Sequence, residues 1–260
     1  MTMLKKMGLL DRECDVPYLP GTQLRVPLDW HWFWQYRDLT EYEPNTLRLF
    51  AATVVEVARG DAAFVDCGAH IGLVSHYMTH RCSSIKQVWA FEPNLRSFGI
   101  LQENCARLPA HSQARNQAVS DFDGHARLVR AAESDGDDAY IEPDASGSID
   151  VTTIDELHLA PHLGLVLKID VEGSELAVLR GARRTLERAP FFAVLFEAHR
   201  EVMKRTGYDP MECVRFLNAL RACRWMPSSN PEMELALDRP FFSQIGSHIK
   251  RDIIVHTLPA

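Results

Sequence analysis

Apolar residues in this chain follow two alternating rhythms. Leu47, Phe50, Ala51 and Val54 recur at i, i+3, i+4 and i+7 behind Pro44, a residue suited to the first helical position, and Gly60 follows. That spacing predicts a helix starting at Pro44. Short, mostly apolar runs come next: Phe64–Asp66, Gln87–Phe91, Leu165–Ile169 and Phe191–Phe196. Helical patterns lie between and after them, from Ile71, from Leu95 to Arg107, from Ser174 to about Arg188 and from Pro210 to Ala222. Weaker strand signals fall at Gln113–Ser120, Val151–Ile154, near Trp225 and at Asp252–His256. Strand–helix alternation of this kind predicts an α/β fold with a mostly parallel sheet covered on both faces. Ligands of such sheets bind outside the carboxyl ends of the strands. Asp66, Glu92, Asp170 and Glu197 each follow an apolar run, so all four are expected around one crevice.

Other stretches are less regular. Residues 1–43 hold no long periodic pattern but carry a dense aromatic cluster of Trp30, Trp32, Phe33, Trp34, Tyr36 and Tyr42. The cluster either covers an edge of the core or walls a substrate pocket. The chain therefore divides into an N-terminal extension, 1–43, and a main domain, 44–260. Residues 131–148 are small, acidic and rich in turn formers, which predicts a loop, either solvated surface or a flap over the site. Asp155 is placed to cap a short helical turn, and Ser174 to cap the helix after it. Cys213 shares helical spacing with Phe216, Leu217 and Leu220 and reads as core.

Composition narrows the classes. The chain has 260 residues, 46% hydrophobic and 24% charged, which suits one large globular domain or one with a small appendage. A net charge of −7 with no visible basic face argues against a nucleic-acid partner. No apolar run reaches the length of a membrane span, and the first residues do not read as a secretory signal. The six cysteines show no C-x-x-C spacing, so zinc and redox readings weaken, and reduced thiols in the cytoplasm are expected. His76 and His80 are four apart on a predicted helix, but no third metal ligand is indicated.

The richest motif spans Ala63 to Gly72. Its pattern is Asp66-x-Gly68-x-x-x-Gly72, with Ala69, His70 and Ile71 inside the turn. Gly68 lets the backbone turn and approach a ligand with no Cβ in the way. Asp66 at the strand tip suits a cationic or hydroxyl-bearing group. Glu92, followed by Pro93 and Asn94, ends the next strand about 20 residues on, the usual place of an acid that binds ribose hydroxyls. A nicotinamide enzyme would want three glycines, G-x-G-x-x-G, to seat a pyrophosphate on the helix N-terminus. S-adenosylmethionine has no phosphate; its sulfonium, ammonium and ribose suit acids at both strand tips. These residues favour S-adenosylmethionine, with Ala118 and Val119 expected against the adenine. A nicotinamide oxidoreductase and a catalytically silent binding module are the alternatives.

Taken together, Phe64-Val-Asp-Cys-Gly-Ala-His-Ile-Gly72, Phe91-Glu-Pro-Asn94, Gln117-Ala-Val-Ser-Asp121 and Lys168-Ile-Asp-Val-Glu-Gly-Ser-Glu-Leu176 with Leu179-Arg-Gly-Ala182 resemble FkbM-type S-adenosylmethionine-dependent methyltransferases. The likeness runs from about Tyr42 to about residue 200, and the Lys-Ile-Asp-Val-Glu-Gly segment is its most specific part. It implies a class I methyltransferase fold, a Rossmann-like seven-stranded sheet whose last strand is antiparallel. It also implies O-methylation of a sugar or natural-product hydroxyl, a small-molecule or glycan acceptor. His70 stands where the family often has Asn. Substrate choice is expected before residue 42.

Transfer of a methyl group to an alcohol needs a positioned nucleophile, exclusion of water and a proton acceptor. Asp170, Glu172, Glu197 and His199, at the ends of the fourth and fifth main strands, are the candidate catalytic residues. Glu172 and Glu175 have a second reading, as first-turn acids that complement the helix dipole. Lys168, two residues before Asp170, is expected to pair with a nearby acid. Asp170 and Glu197 are also of a type to hold a hard cation such as magnesium, which the sequence does not assert.

Overall fold

The computed structural model describes residues 12–28, 30, 38–130, 139–246 and 250–258. Its main sheet contains seven strands: β3 (Ala62–Cys67), β4 (Ile85–Phe91), β5 (His111–Arg115), β10 (Gly164–Ile169), β11 (Phe192–His199), β12 (Cys223–Pro227) and β13 (Lys250–Thr257). Their order across the sheet is β5-β4-β3-β10-β11-β13-β12, and β13 alone runs opposite to the other six. This is the class I methyltransferase architecture. Chain order reverses between β3 and β10, which opens a crevice at their carboxyl ends.

The strands in the middle of the sheet are apolar because both faces are covered. Phe64, Val166, Ala193, Leu195 and Ile254 pack with α1 (Pro44–Val57), α2 (Leu73–Arg81) and α3 (Leu95–Cys105) through Phe50, Val54, Met78 and Leu101. Val65, Leu165, Leu167, Val194, Phe196 and Val255 face the other way. They pack with α4 (Glu175–Arg180), α5 (Arg183–Arg188) and α7 (Met211–Leu220) through Val178, Leu179, Leu186, Val214 and Leu217. Period-two alternation thus feeds two cores from one sheet.

Several expectations change. The strand predicted over Gln113–Ser120 is two strands, because the chain leaves the main sheet after Arg115. Asn116 Nδ2 donates to the carbonyls of Glu92 and Pro93, at 2.8 and 3.1 Å, and fixes that exit. Ala118–Val119 (β6) then joins β7 (Gly124–Arg130), β8 (Ala139–Pro143) and β9 (Ile149–Thr152) in a second sheet of order β6-β9-β7-β8. The loop predicted over 131–148 is therefore partly strand; residues 131–138 lie outside the described ones.

The helix predicted from Ser174 to Arg188 breaks in two at Gly181. A Cβ there would lie 2.0 Å from the Ser120 carbonyl oxygen, so backbone passes where a side chain would be. Asp155 does not cap the turn after it. Its N–H donates to the Gly181 carbonyl, and its carboxylate accepts from Arg184 N, Thr185 N and Thr185 Oγ1, capping α5 from 29 and 30 residues away. Ser174 occupies the cap position of α4, with no side-chain capping bond.

Unpredicted elements are the hairpin of β1 (Glu13–Pro17) and β2 (Gln23–Pro27) and the short helices α6 (Arg200–Thr206) and α8 (Phe241–Gln244). Fully buried Asn104 ties the hairpin to the main domain. Its Oδ1 accepts from Arg25 N, and its Nδ2 donates to the carbonyls of Arg25 and Ile71.

Candidate active site

The motif turn sits between the tips of β3, β4 and β10. Gly68 has φ +75°, and a Cβ on it would lie 1.9 Å from the Asp170 carbonyl oxygen. Only glycine lets the two strand tips approach this closely. Gly68 N and Ala69 N both donate to the Phe91 carbonyl, at 3.0 and 2.9 Å. His70 has φ +49°, a left-handed conformation in which Asn and His are enriched. The exchange of Asn for His at this place is therefore compatible with the turn. It also brings the imidazole within 5.2 Å, centroid to centroid, of the Trp30 ring.

His70 N donates to Glu92 Oε2 at 2.9 Å, and Asn94 N donates to Glu92 Oε1 at 2.8 Å. The carboxylate is thus aimed by backbone on both sides. It is buried, and burial pushes its pKa up to about 7 against the pull of those two N–H groups. Asn94 also caps α3 through Arg96 N and Ser97 N.

Beside this turn lies a second constellation. Lys168 Nζ donates to the Gly68 carbonyl at 2.6 Å, and stands 3.5 Å from Asp66 Oδ1 and 3.3 Å from Asp170 Oδ2. Burial alone would lower the lysine's pKa, but Asp170 and Asp66 more than offset it and the ammonium is held charged. Asp66 itself is fully buried, and Ser75 Oγ donates to its Oδ2 at 2.7 Å. Asp66 was expected on the crevice wall; it stands behind it, holding Lys168 and Ser75. Ala69 and Gly72 are likewise absent from the lining. Glu175, read as a first-turn acid, is buried, accepts from Gly173 N at 2.9 Å, and has its pKa raised by burial to about 7.

The crevice has a volume of about 390 Å³, a size ordinary for a small-molecule site. Gly68, His70, Phe91, Glu92, Pro93 and Asn94 line it at the β3 and β4 tips, and Gln117, Ala118 and Val119 continue the wall. Asp170, Glu172, Glu197 and His199 line it at the β10 and β11 tips, so all four expected catalytic residues meet there. One carboxylate oxygen each from Asp170, Glu172 and Glu197 lie within 4.8 Å of one another. Oxygen donors so grouped are of the kind that a hard cation takes.

Trp30 and Tyr42 from the aromatic cluster also line the crevice; Trp32, Phe33, Trp34 and Tyr36 lie outside the described residues. Sequence reasoning missed Leu128 on β7, and reached Tyr140 and Ile141 on β8 only through the flap alternative for residues 131–148. The signal for Leu128 was the polar–apolar alternation His125-Ala126-Arg127-Leu128. Arg205 on α6 anchors this part of the wall. Its guanidinium lies 4.0 Å from the Tyr140 ring centroid and donates to the Glu172 carbonyl, where φ is +57°.

The methyltransferase FkbM domain family matches residues 66–224. The hexuronic acid methyltransferase AglP of Haloferax volcanii is 28% identical over 210 residues, covering 79% of this chain and 80% of that protein. Among solved structures, methyltransferase FkbM from Methylobacillus flagellatus KT is similar at TM-score 0.48 and 17% identity, covering 81% of this chain and 52% of that one. TYW2 from P. horikoshii, in complex with MeSAdo, is similar at TM-score 0.45 and 13% identity, covering 98% of this chain and 79% of that one. Among the described residues no helix is long and apolar enough to cross a membrane. With its motifs, its sheet order and a family match over more than half its length, this chain belongs to the FkbM methyltransferase family and is an S-adenosylmethionine-dependent methyltransferase.

Proposed function

We propose that the enzyme methylates a hydroxyl group of a sugar, and that one crevice holds cofactor and acceptor end to end. The observation that carries this reading is the row of strand-tip acids. Glu92 ends β4, and Asp170, Glu172 and Glu197 cluster beyond β10 and β11. In the sheet β4 and β11 stand three strand spacings apart, about 14 Å. That separates a nucleoside end from a reacting end.

The donor set fits S-adenosylmethionine. Glu92, held by two backbone N–H groups, would take the ribose hydroxyls. Ala118 and Val119, both buried along the wall, would pack on the adenine. When bound, the cofactor supplies a methyl group activated by its sulfonium. The protein's own part is to orient the hydroxyl, exclude water and accept its proton. Asp170, Glu172, Glu197 and His199 would do that, with general-base action worth about 10²–10⁴ in rate. Trp30 and Tyr42 offer flat apolar faces for a pyranose ring. The methylation of hexuronic acid named for AglP is consistent with a sugar acceptor.

The test is transfer of a labelled methyl group across a panel of sugars, uronic acids and natural-product alcohols, with the product site assigned by NMR. Labelled ether on a sugar hydroxyl supports the reading. Labelled ester, amine or carbon product overturns it.

A further inference from the structure

A second cavity, of about 890 Å³, opens on the same edge of the sheet. The N-terminal turn of α1 supplies Asn45, Thr46 and Arg48; the segment after β12 supplies Ser228 and Ser229; β13 supplies Arg251 and Asp252. All three pieces lie at the carboxyl-end edge of the sheet. The helix α1 starts there, β12 ends there, and antiparallel β13 begins there.

Two links join this cavity to the crevice. Tyr42 lines the crevice and the next residue, Glu43, lines the cavity. Glu197 and Asp252 are paired across β11 and β13, and directly opposed residues put their side chains on one face of the sheet. Glu197 belongs to the crevice and Asp252 to the cavity. The offset between the two spaces is thus one residue along the chain and one strand across the sheet, about 5 Å at the Cα atoms.

The lining says what the cavity would take. Two carboxylates, Glu43 and Asp252, balance two guanidinium groups, Arg48 and Arg251. An amide and hydroxyls stand among them, over the apolar atoms of Leu49, Ala52 and Pro231. A phosphate would meet both acids, and a nucleobase would find no aromatic ring among the lining residues. Interleaved donors and acceptors over a small apolar floor suit a neutral polyol ring. Part of the set is already hydrogen-bonded within the chain. Thr46 Oγ1 donates to Asp252 Oδ2 at 3.0 Å and lies 3.0 Å from the Ser228 hydroxyl, and Arg48 Nη2 donates to Asn45 Oδ1 at 2.9 Å.

We infer that this cavity is a second sugar subsite, so that the acceptor is an oligosaccharide whose methylated residue sits in the crevice and whose neighbouring residue sits in the cavity. The inference rests on the sugar reading above and extends it from a monosaccharide to a glycan chain.

The experiment uses the full chain saturated with S-adenosylhomocysteine. A printed glycan array of mono- and oligosaccharides, neutral and uronic, identifies a bound glycan. Calorimetry then compares that glycan with its terminal monosaccharide. Two variants at exposed positions report on the cavity alone: Arg48→Ala removes a hydrogen-bonding arm, and Ala52→Trp fills the space. Expected are tighter binding of the oligosaccharide by 10-fold or more, and loss of that advantage in both variants. Monosaccharide and S-adenosylhomocysteine affinities should stay unchanged, with melting temperatures close to wild type. Equal binding of the two sugars, or an advantage that survives both variants, overturns the subsite and leaves the sugar reading standing. Binding of no glycan overturns both.

Discussion

Lys168 and Asp170, two residues apart at the end of β10, meet at 3.3 Å between Nζ and Oδ2. The same ammonium group stands 3.5 Å from fully buried Asp66 and donates to the carbonyl of Gly68. One lysine thus links the glycine turn of the first strand to the first of the expected catalytic acids. Lys168→Met should leave Asp66 buried without its counter-charge. The expected cost is about 3–5 kcal/mol in chemical denaturation. The double variant Lys168→Met with Asp66→Asn should recover part of it. Equal stability of the single variant and wild type would show that the pair is not coupled.

Glu92 is the residue proposed above for the cofactor end. Glu92→Ala should weaken S-adenosylhomocysteine binding by about 10-fold or more, the weight of a charged hydrogen bond. The interaction also has a sign in pH. Burial pushes the pKa of this carboxyl up to about 7 in the free enzyme, and the ionised form is the stronger acceptor for two ribose hydroxyls. Affinity should therefore fall as pH drops from 8 to 6, and Glu92→Gln should remove that slope. Calorimetry across the range reads both; a flat wild-type profile excludes the ribose contact.

Glu175 gives a stability signature away from the crevice. Burial raises its pKa from 4.5 to about 7 in the fold. Between those values the folded state binds more protons than the unfolded state, so stability falls as pH rises from about 4.5 to 7. The contribution is on the order of 2–3 kcal/mol. Denaturation curves at pH 5 and pH 8 should converge in Glu175→Gln relative to wild type. Glu92 adds a slope of the same sign, so the difference between the two proteins isolates Glu175.

The acceptor end should separate chemistry from cofactor binding. Asp170→Asn and Glu197→Gln are each expected to lower turnover by about 10²–10⁴, as for loss of a general base. Their S-adenosylhomocysteine affinity should stay near that of wild type. Full activity in both variants removes these acids from the chemistry. If a chelator abolishes turnover and magnesium restores it, the close-set oxygens of Asp170, Glu172 and Glu197 act as cation ligands and not as bases.

The sequence by itself determined the alternation of strands and helices, the four acids at strand ends and the glycine turn. Those features are local. Strands β3 and β10 are buried on both faces, so they are apolar apart from Asp66 and Lys168 near their tips, and a tight turn needs glycine wherever the chain goes next. Tertiary structure decided which strand-tip acid lines the crevice. Asp66 and Glu92 look alike in sequence. Yet Lys168, 102 residues beyond Asp66, draws its carboxylate behind the wall, while two backbone N–H groups aim Glu92 into the crevice. The β7–β8 wall was illegible as strands for a related reason. Its strands are short and half-buried, and their pairing partners and Arg205 are set by the packing of distant segments. Asp155 shows the same limit: its carboxylate faces the N–H groups of a helix that begins 28 residues later. Hydrogen bonds across such separations leave no periodic trace in the chain, because either partner alone satisfies many other folds.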